Sequence, residues 1–544
     1  MLPNFRDLVL YFVSIMQKKY ISTAWRLGGI VALGIALRLI NIGTEPYWGD
    51  EVLSLDIVRH FPSIGTMLQY LSQVEFHPPL YYVLLHYWTA VFGVAEAGTR
   101  SLSLVFGAGV IAATYVMAMR LFDDRRAALA AALVAAILPM QIEYGQEARP
   151  YAIFCFFGVV AAASLWEYLR RRKRIWLVVY AAASIIGLYL HYSYFFVLAA
   201  TSGWWLVEIL IAKKGTRTRE AATWSVAHAA VFLGFFPWLS ALLYKLLLSK
   251  FDIIGLQHFV LPYRAPEAFE HVVDQVVWMT KAKFILQIEI AAKALFKVLF
   301  VWAAAVALRP RTPLLGGGDK DRWAVRYVAW LFVIPIVLFI CSPQSLPYST
   351  LYERHVIFAT VPFALFLGYV ASRLKPKPAA ALMAIFIATQ IPFVSNVVAD
   401  DSLWDQDHRL KDAGEYINEN YKQGDLVIVS VSIVRTDLNH YLRPDIPVEE
   451  MLPIPYYGED MWASRQTLGL IENESQVRIT RPGEKEITEK FDRLYRIHRP
   501  RRIWLYGFAD RDYTVHHWFS DSGLWRHAFS AIGNVFVVDL YVHK

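Results

Sequence analysis

The chain has 544 residues, of which 56% are hydrophobic, 15% aromatic and only 18% charged, and its mean hydropathy is +0.36. That excludes a soluble protein of this length and leaves a multi-span membrane protein. The formal net charge of +8 does not indicate nucleic acid, because most Lys and Arg fall in short runs between apolar stretches, where they act as orientation signals.

At the N-terminus, "LVLYFVSIM" (Leu8–Met16) has the length of a signal-peptide core, but "QKKY" follows it in place of a small-residue cleavage site. Residues Phe5–Met16 therefore read as an interfacial helix, with Lys18, Lys19 and Arg26 holding the N-terminus in the cytoplasm. Stretches near the ~20 residues that cross a bilayer follow at 22–43, 99–119, 127–142, 150–168, 175–190, 195–212, 222–244, 286–307, 323–341, 353–371 and 379–397, about eleven in all. Cys155 and Cys341 lie in or beside these stretches, so neither a disulfide framework nor a thiolate metal site is expected.

One further apolar run, "HPPLYYVLLHYWTAVFG" (His77–Gly93), decides the topology. If it lies along the surface as a helix started by Pro78 and Pro79, the basic clusters at Arg120–Arg126, Arg170–Arg174, Lys213–Arg219, Arg309–Arg322 and Arg373–Lys377 all fall on one side. If it spans, they cannot all do so without carrying Asp50 and Glu51 inside, so the positive-inside rule selects the surface helix. The expected outer segments are then a loop over 44–97, "QIEYGQEARPY" (Gln141–Tyr151), the "HYSY" turn at His191, a loop over 245–283 and "CSPQSLPYSTLYERH" (Cys341–His355). In the 245–283 loop, Glu267, Glu270 and Asp274 follow helical spacing opposite Phe269, Val272, Val273, Val276 and Val277, as in a helix lying in the interface.

Beyond Asp401 charge and turn residues rise and no stretch is long enough to span. A helix in "RLKDAGEYINENYKQGD" and strands at "LVIVSVSIV", "RRIWLYGF" and "NVFVVDLYV" give a small extracytoplasmic α/β domain. The expected organisation is a transmembrane domain over 1–397, including the outer loop 44–97, and the α/β domain over 398–544.

Asp50 and Glu51, in "YWGDEVLSLD", stand where the first span meets the outer surface. Acids suit the first turn of a helix, and capping alone would account for them. Trp48, His77, Pro78, Pro79, Arg100, Glu143, Glu147, Arg149 and Arg354 map to the same outer side, however. Acids together with several arginines at one boundary suit the activation of a hydroxyl and the holding of a phosphate. Each arginine also has a structural role open to it, snorkelling to lipid phosphate; Pro150 marks a helix start beside Arg149, and a lone His77 at a helix start is commonly a hydrogen-bonding residue. Glu143 and Glu147 are a second acidic site or a hydrated span end.

"WGDE" after the first span, "HPPLYY" some way on, "GTRSLSLVFGA" and "EARPYA" opening later spans together resemble the membrane glycosyltransferases of the type C fold, in the protein O-mannosyltransferase and lipid A aminoarabinose transferase superfamily. The resemblance implies that Asp50, with Glu51 beside it, is the catalytic base, that His77–Pro79 belong to a surface helix of the first outer loop, and that Arg100 is important for activity. The family's usual Arg-Tyr near the last outer loop is Arg354-His355 here, and the large β-trefoil insert of the mannosyltransferase branch is absent from the sequence, which points to a bacterial relative in the inner membrane.

The reaction so implied is inverting. A polyprenyl phosphate sugar presents its head at the outer surface, Asp50 takes the proton of an acceptor hydroxyl on a glycan, lipid or protein, and that oxygen attacks C1 opposite the phosphate. Arg100, Arg149 and Arg354, with His77 and Glu147, are the candidate donor-binding residues, since Arg offers forked donors matched to phosphate oxygens. The sequence names no certain cofactor and leaves any metal need open; should a divalent metal take part, Asp50 and His77 are its candidate ligands. A secondary transporter would carry its ionisable residues near the midplane in repeated halves, and a polymer ligase of the other membrane glycosyltransferase architecture would centre on a large late outer loop and lack the early "DE".

Overall fold

The computed structural model describes residues 23–73, 75, 77–247, 297, 300–306, 319–340, 353–398, 408–431, 438–452, 484–508, 525–532 and 536–543. The helices expected at 5–16 and around Glu267–Val277, most of the stretch 286–307, and residues 341–352 with Cys341 lie outside them. The chain forms two compact units: Met1–Ile42 with Phe61–Asp400, and Gly43–His60 with Asp401–Lys544.

The first unit is helical. Residues 23–39 form α1, and α2 (Gly49–His60) belongs to the second unit. Then come α3 (Ile64–Gln73), α4 (Leu80–Phe92), α5 (Glu96–Phe122), α6 (Arg125–Ile137), α7 (Pro139–Glu143), α8 (Tyr151–Arg171), α9 (Arg174–Leu190), α10 (Tyr194–Ile211) and α11 (Lys214–Leu247). After these follow α12 (Asp319–Ile340), a 3-10 turn over Glu353–Ala359, α13 (Thr360–Arg373) and α14 (Pro376–Val398). Among the described residues six helices are long and apolar enough to cross a membrane: Glu96–Phe122, Tyr151–Arg171, Tyr194–Ile211, Lys214–Tyr244, Asp321–Phe339 and Arg354–Arg373.

The run beginning "HPPLYY" is α4, with Pro79 at its N-cap and Gly93 ending it at φ 81°. Its 13 residues rise only about 20 Å, short of the ~30 Å hydrocarbon core. The Trp88 indole Nε1 donates to the Gly98 carbonyl at 3.1 Å and to Ser101 Oγ at 2.9 Å, tying α4 to the start of α5.

The stretch expected as one span over 127–142 is instead two helices. Leu138 adopts an extended conformation and Pro139 starts α7, because a proline at the first helical position gives up no needed N–H but cannot continue the helix before it. Ala127, Ala128, Ala131, Ala132, Ala135 and Ala136 of α6 are all buried. Against them Gly368 of α13 comes so close that a Cβ there would lie 2.5 Å from the Ala127 carbonyl and 2.7 Å from the Ala131 nitrogen. Lipid tails supply no hydrophobic drive between helices, so small residues that let backbones approach supply it through packing.

The early end of α6 leaves last-turn carbonyls needing donors. One comes from Arg38 on α1, which is fully buried; its Nη1 donates to the Gly34 carbonyl at 2.8 Å and to the Ala136 carbonyl at 3.2 Å. Gly107 of α5 and Gly145 make room for it, since a Cβ at either would stand 2.9 or 2.7 Å from Arg38 Nε.

The basic clusters are linked to one another. Arg120 and Arg171 meet Glu167 at 3.7 and 2.6 Å, Arg172 pairs with Glu220, Arg373 pairs with Asp321, and Trp323 Nε1 donates to Glu208.

In the second unit five strands, β1 (Leu426–Val431), β2 (Val448–Leu452), β3 (Arg502–Phe508), β4 (Trp525–Ile532) and β5 (Phe536–His543), form one sheet in the order β2-β1-β3-β5-β4. β1 is parallel to β2 and β3, and β5 is antiparallel to β3 and β4. Helix α15 (His408–Asn420) sends Ala413 and Ile417 into a core with Val427, Val429, Trp504 and Tyr506, while α16 (Glu484–His498) precedes β3. Asp425 at the head of β1 accepts from Arg502 Nε at 2.9 Å and Trp504 Nε1 at 3.0 Å.

Gly368→Leu should force α6 and α13 apart and lower stability by about 1–3 kcal/mol, the usual range for overpacking, seen as a lower thermal midpoint in detergent. Gly28→Leu, where a Cβ meets nothing within 4 Å, should leave the midpoint unchanged.

Candidate active site

The first unit gathers one set of ionisable residues, Glu75, His77, Arg149, His191 and Arg354, at the ends of α4, α8, α9 and the 3-10 turn. Before α4, each proline disfavours helical backbone at the residue ahead of it, His77 and Pro78, and Glu75 Oε1 accepts from the His77 backbone N–H at 3.2 Å and meets His77 Nδ1 at 2.6 Å. On the other edge of the ring, Arg149 Nη2 is 3.3 Å from His77 Nε2. A guanidinium can only donate, so Nε2 accepts and Nδ1 carries the proton. His77 is thereby fixed in one tautomer between an acid and a base. Burial alone would raise the Glu75 carboxyl, but the hydrogen bonds it accepts from His77, with the charge of Arg149 beyond, hold it below its ordinary value.

Arg149 itself is 1% exposed and stands in the 144–150 segment between α7 and α8. Three contacts set that segment: Gly145 against Arg38, Gln146 Nε2 donating to the Ile40 carbonyl at 2.5 Å, and Ser103 Oγ donating to the Arg149 carbonyl at 3.0 Å. Glu147 is buried in the same segment. Pro150 then caps α8, as the sequence "EARPY" suggests.

Aromatic rings complete the cluster. His191, in the turn between α9 and α10, has ring centroids of His77, Tyr151, Phe154 and His355 at 5.6, 5.4, 5.5 and 5.3 Å. Arg354 is buried, with its guanidinium carbon 5.6 Å from the centre of the Tyr151 ring, a cation–π distance. Of the expected site residues, His77, Arg149 and Arg354 are thus joined through Tyr151 and His191. Arg100 is buried and its Nη1 donates to the Ile42 carbonyl at 3.1 Å, so one donor of its fork holds backbone.

Asp50 and Glu51 belong to the second unit, in the first turn of α2. The Glu51 and Val52 N–H groups donate to the Trp48 carbonyl at 2.8 and 3.1 Å, and Glu51 Oε2 accepts from the Trp48 N–H at 3.3 Å. That is the back-reaching half of a capping box, with Trp48 as N-cap and Glu51 at the third helical position. Glu51 is fully buried in this task, whereas Asp50, one residue earlier, is half-buried. The turn before α2 is held within the second unit by the Tyr47 N–H, which donates to Tyr441 Oη at 2.7 Å. Among the described residues no three His, Cys, Asp or Glu side chains converge to hold a metal ion.

Glu75, Tyr151 and the role of His191 are not distinguished by the sequence reading. Their signal was modest: Glu75 is two residues from His77, and His191 is a histidine in a three-residue turn between apolar stretches.

The computed structure matches that of ArnT from Cupriavidus metallidurans bound to undecaprenyl phosphate, with a TM-score of 0.59 over 95% of this chain and 98% of that one, at 13% identity. The chain has the type C fold of membrane glycosyltransferases. ArnT from the same organism in the apo state gives a TM-score of 0.51 over 96% and 98% of the two chains, also at 13% identity. Residues 76–241 match the family model described as dolichyl-phosphate-mannose-protein mannosyltransferase. That span of the type C fold contains His77, Arg100, Glu147, Arg149 and His191, while Asp50 and Arg354 lie outside it. An uncharacterized protein of Aquifex aeolicus (strain VF5) is 25% identical over 155 residues, which make up 27% of this chain and 31% of that relative.

If Glu51 caps α2, Glu51→Ala should destabilise the second unit by about 1 kcal/mol, and Glu51→Gln should cost far less because its amide oxygen still accepts. Thermal unfolding of the purified protein followed by Trp fluorescence would compare the two.

Proposed function

We propose that this chain is an inverting membrane glycosyltransferase that moves a sugar from a polyprenyl phosphate to an acceptor hydroxyl on the outer face of the inner membrane. The observation that carries this reading is the Glu75–His77–Arg149 row, with Glu75 and Arg149 buried and His77 part-exposed, next to His191, which meets His355 and Tyr151, and to Arg354 over the Tyr151 ring; this brings two guanidinium groups close to three imidazoles. Such a cluster favours a phosphate, whose oxygens accept forked Arg donors. The family match over 76–241, and the undecaprenyl phosphate bound by ArnT, support the same donor class.

In the reaction, Arg149 and Arg354 bind the donor phosphate, with Glu147 and Arg100 supporting the segment and span end on which they depend. Asp50, assigned by its motif, takes the acceptor proton. The acceptor oxygen forms a bond to C1 as the bond from C1 to the phosphate oxygen breaks, and the electron pair leaves with the polyprenyl phosphate. Glu51 supports Asp50 through the helix start.

We further infer about eleven spans, an N-terminus in the cytoplasm, and a small α/β domain over 398–544 outside. The linked basic clusters, Arg120 and Arg171 with Glu167, Arg172 with Glu220 and Arg373 with Asp321, support a single inward-facing end.

Cells lacking the protein should accumulate a polyprenyl phosphate sugar, and wild type should clear it. Asp50→Asn, inserted and folded, should not; full transfer by the purified variant would remove Asp50 as base. For the orientation, in protein whose Cys155 and Cys341 are replaced by Ser, Ala97→Cys should react with an impermeant thiol reagent applied outside and Gly215→Cys should not. Both positions are exposed, so labelling of the second alone would reverse the topology.

A further inference from the structure

His191 is 4% exposed, and its Nδ1 accepts a hydrogen bond from the Ser193 backbone N–H at 3.0 Å. The imidazole is therefore neutral with its proton on Nε2. Among the described residues no group accepts from that Nε2. A buried donor lacking an acceptor is costly, and the surroundings specify which acceptor would suit it. Phe154 stacks on the ring at an interplanar angle of 21°, and His77, Tyr151 and His355 surround it. Burial first, then the positive charge of Arg149 and Arg354, pushes the His191 pKa well below its ordinary value. A neutral N–H beside two guanidinium groups fits an oxygen that is negative and only accepts.

We propose that His191 is a donor-binding residue, its Nε2–H donating to a non-bridging oxygen of the lipid phosphate whose charge Arg149 and Arg354 offset. This rests on the polyprenyl phosphate reading given above. When the bond from C1 breaks, the departing phosphate gains a negative charge. A donor already desolvated and held by the Ser193 turn stabilises that charge without reorganising, and no proton changes hands at His191.

Two isosteric substitutions separate this role from a structural one. In His191→Asn the amide oxygen can replace Nδ1 and keep the Ser193 N–H, but nothing stands at Nε2. In His191→Gln the amide nitrogen reaches the place of Nε2, while the acceptor for Ser193 is lost. The measurement is the affinity of the purified full-length proteins in nanodiscs for a short-chain polyprenyl phosphate and for the matching polyprenol, with inorganic phosphate as competitor.

The Asn variant should bind the phosphate roughly tenfold to a hundredfold more weakly than wild type, the scale of a hydrogen bond to a charged group. The Gln variant should recover much of that loss, and polyprenol affinity should not change. A purely structural His191 predicts the reverse order, Gln weaker than Asn, with polyprenol affected equally. Equal phosphate affinities in all three proteins would overturn the assignment, and inorganic phosphate competing as well as the lipid would overturn the lipid as the occupant. No binding of polyprenyl phosphate by wild type would instead remove the donor reading itself.

Discussion

The arrangement of the first unit depends on one buried cation. Arg38 lies inside an apolar bundle, where an ionised side chain is tolerated only with partners, and it finds them because α6 stops at Ile137 and leaves its last carbonyls open. The guanidinium links α1 to the end of α6 and fills the space that Gly107 and Gly145 leave. Gly145 begins the segment that carries Arg149, and Gln146 fastens that segment to the Ile40 carbonyl. The position of the site arginine thus follows from where a proline ends a helix and from which residue covers the break.

Charge is segregated within the same unit. Arg120, Arg171, Arg172 and Arg373 each meet a carboxylate, so the basic clusters are linked as well as aligned in sequence. The Glu75–His77–Arg149 row forms a second, separate polar group whose two ends, Glu75 and Arg149, are buried, where a lower dielectric strengthens their hydrogen bonds. Polar side chains inside an apolar bundle are stabilised by such connections, which suits the gathering of His77, His191 and His355.

Much of this was legible in the sequence. Hydropathy gave the six helices that are long and apolar enough to cross among the described residues, and the two prolines of "HPPLYY" marked where α4 begins. His77, Arg149 and Arg354, expected on one side from the order of the apolar runs, are brought together through Tyr151 and His191. The break within 127–142 was harder to see, because Leu138 and Pro139 are as apolar as their neighbours and hydropathy does not register backbone geometry. In the second unit the strands β1, β3 and β5, recognised by their β-branched and aromatic runs, are the inner ones. The strands not recognised, "VEEML" and "WRHAFSAI", are the two edges, where contact with water relaxes the demand for an apolar pattern. The tie between Tyr47 and Tyr441 spans most of the chain, and no local pattern encodes such a contact.

The row through His77 also has a direction. Its proton sits on the nitrogen facing Glu75, and its lone pair faces Arg149; the three residues form a small aligned dipole with its positive end buried beside Tyr151 and His191. Exchanging the acid and the base would demand the other tautomer and would place a carboxylate among those rings. Which charge occupies position 75 and which occupies position 149 is therefore set jointly, and a swap that conserves composition would still invert the local field.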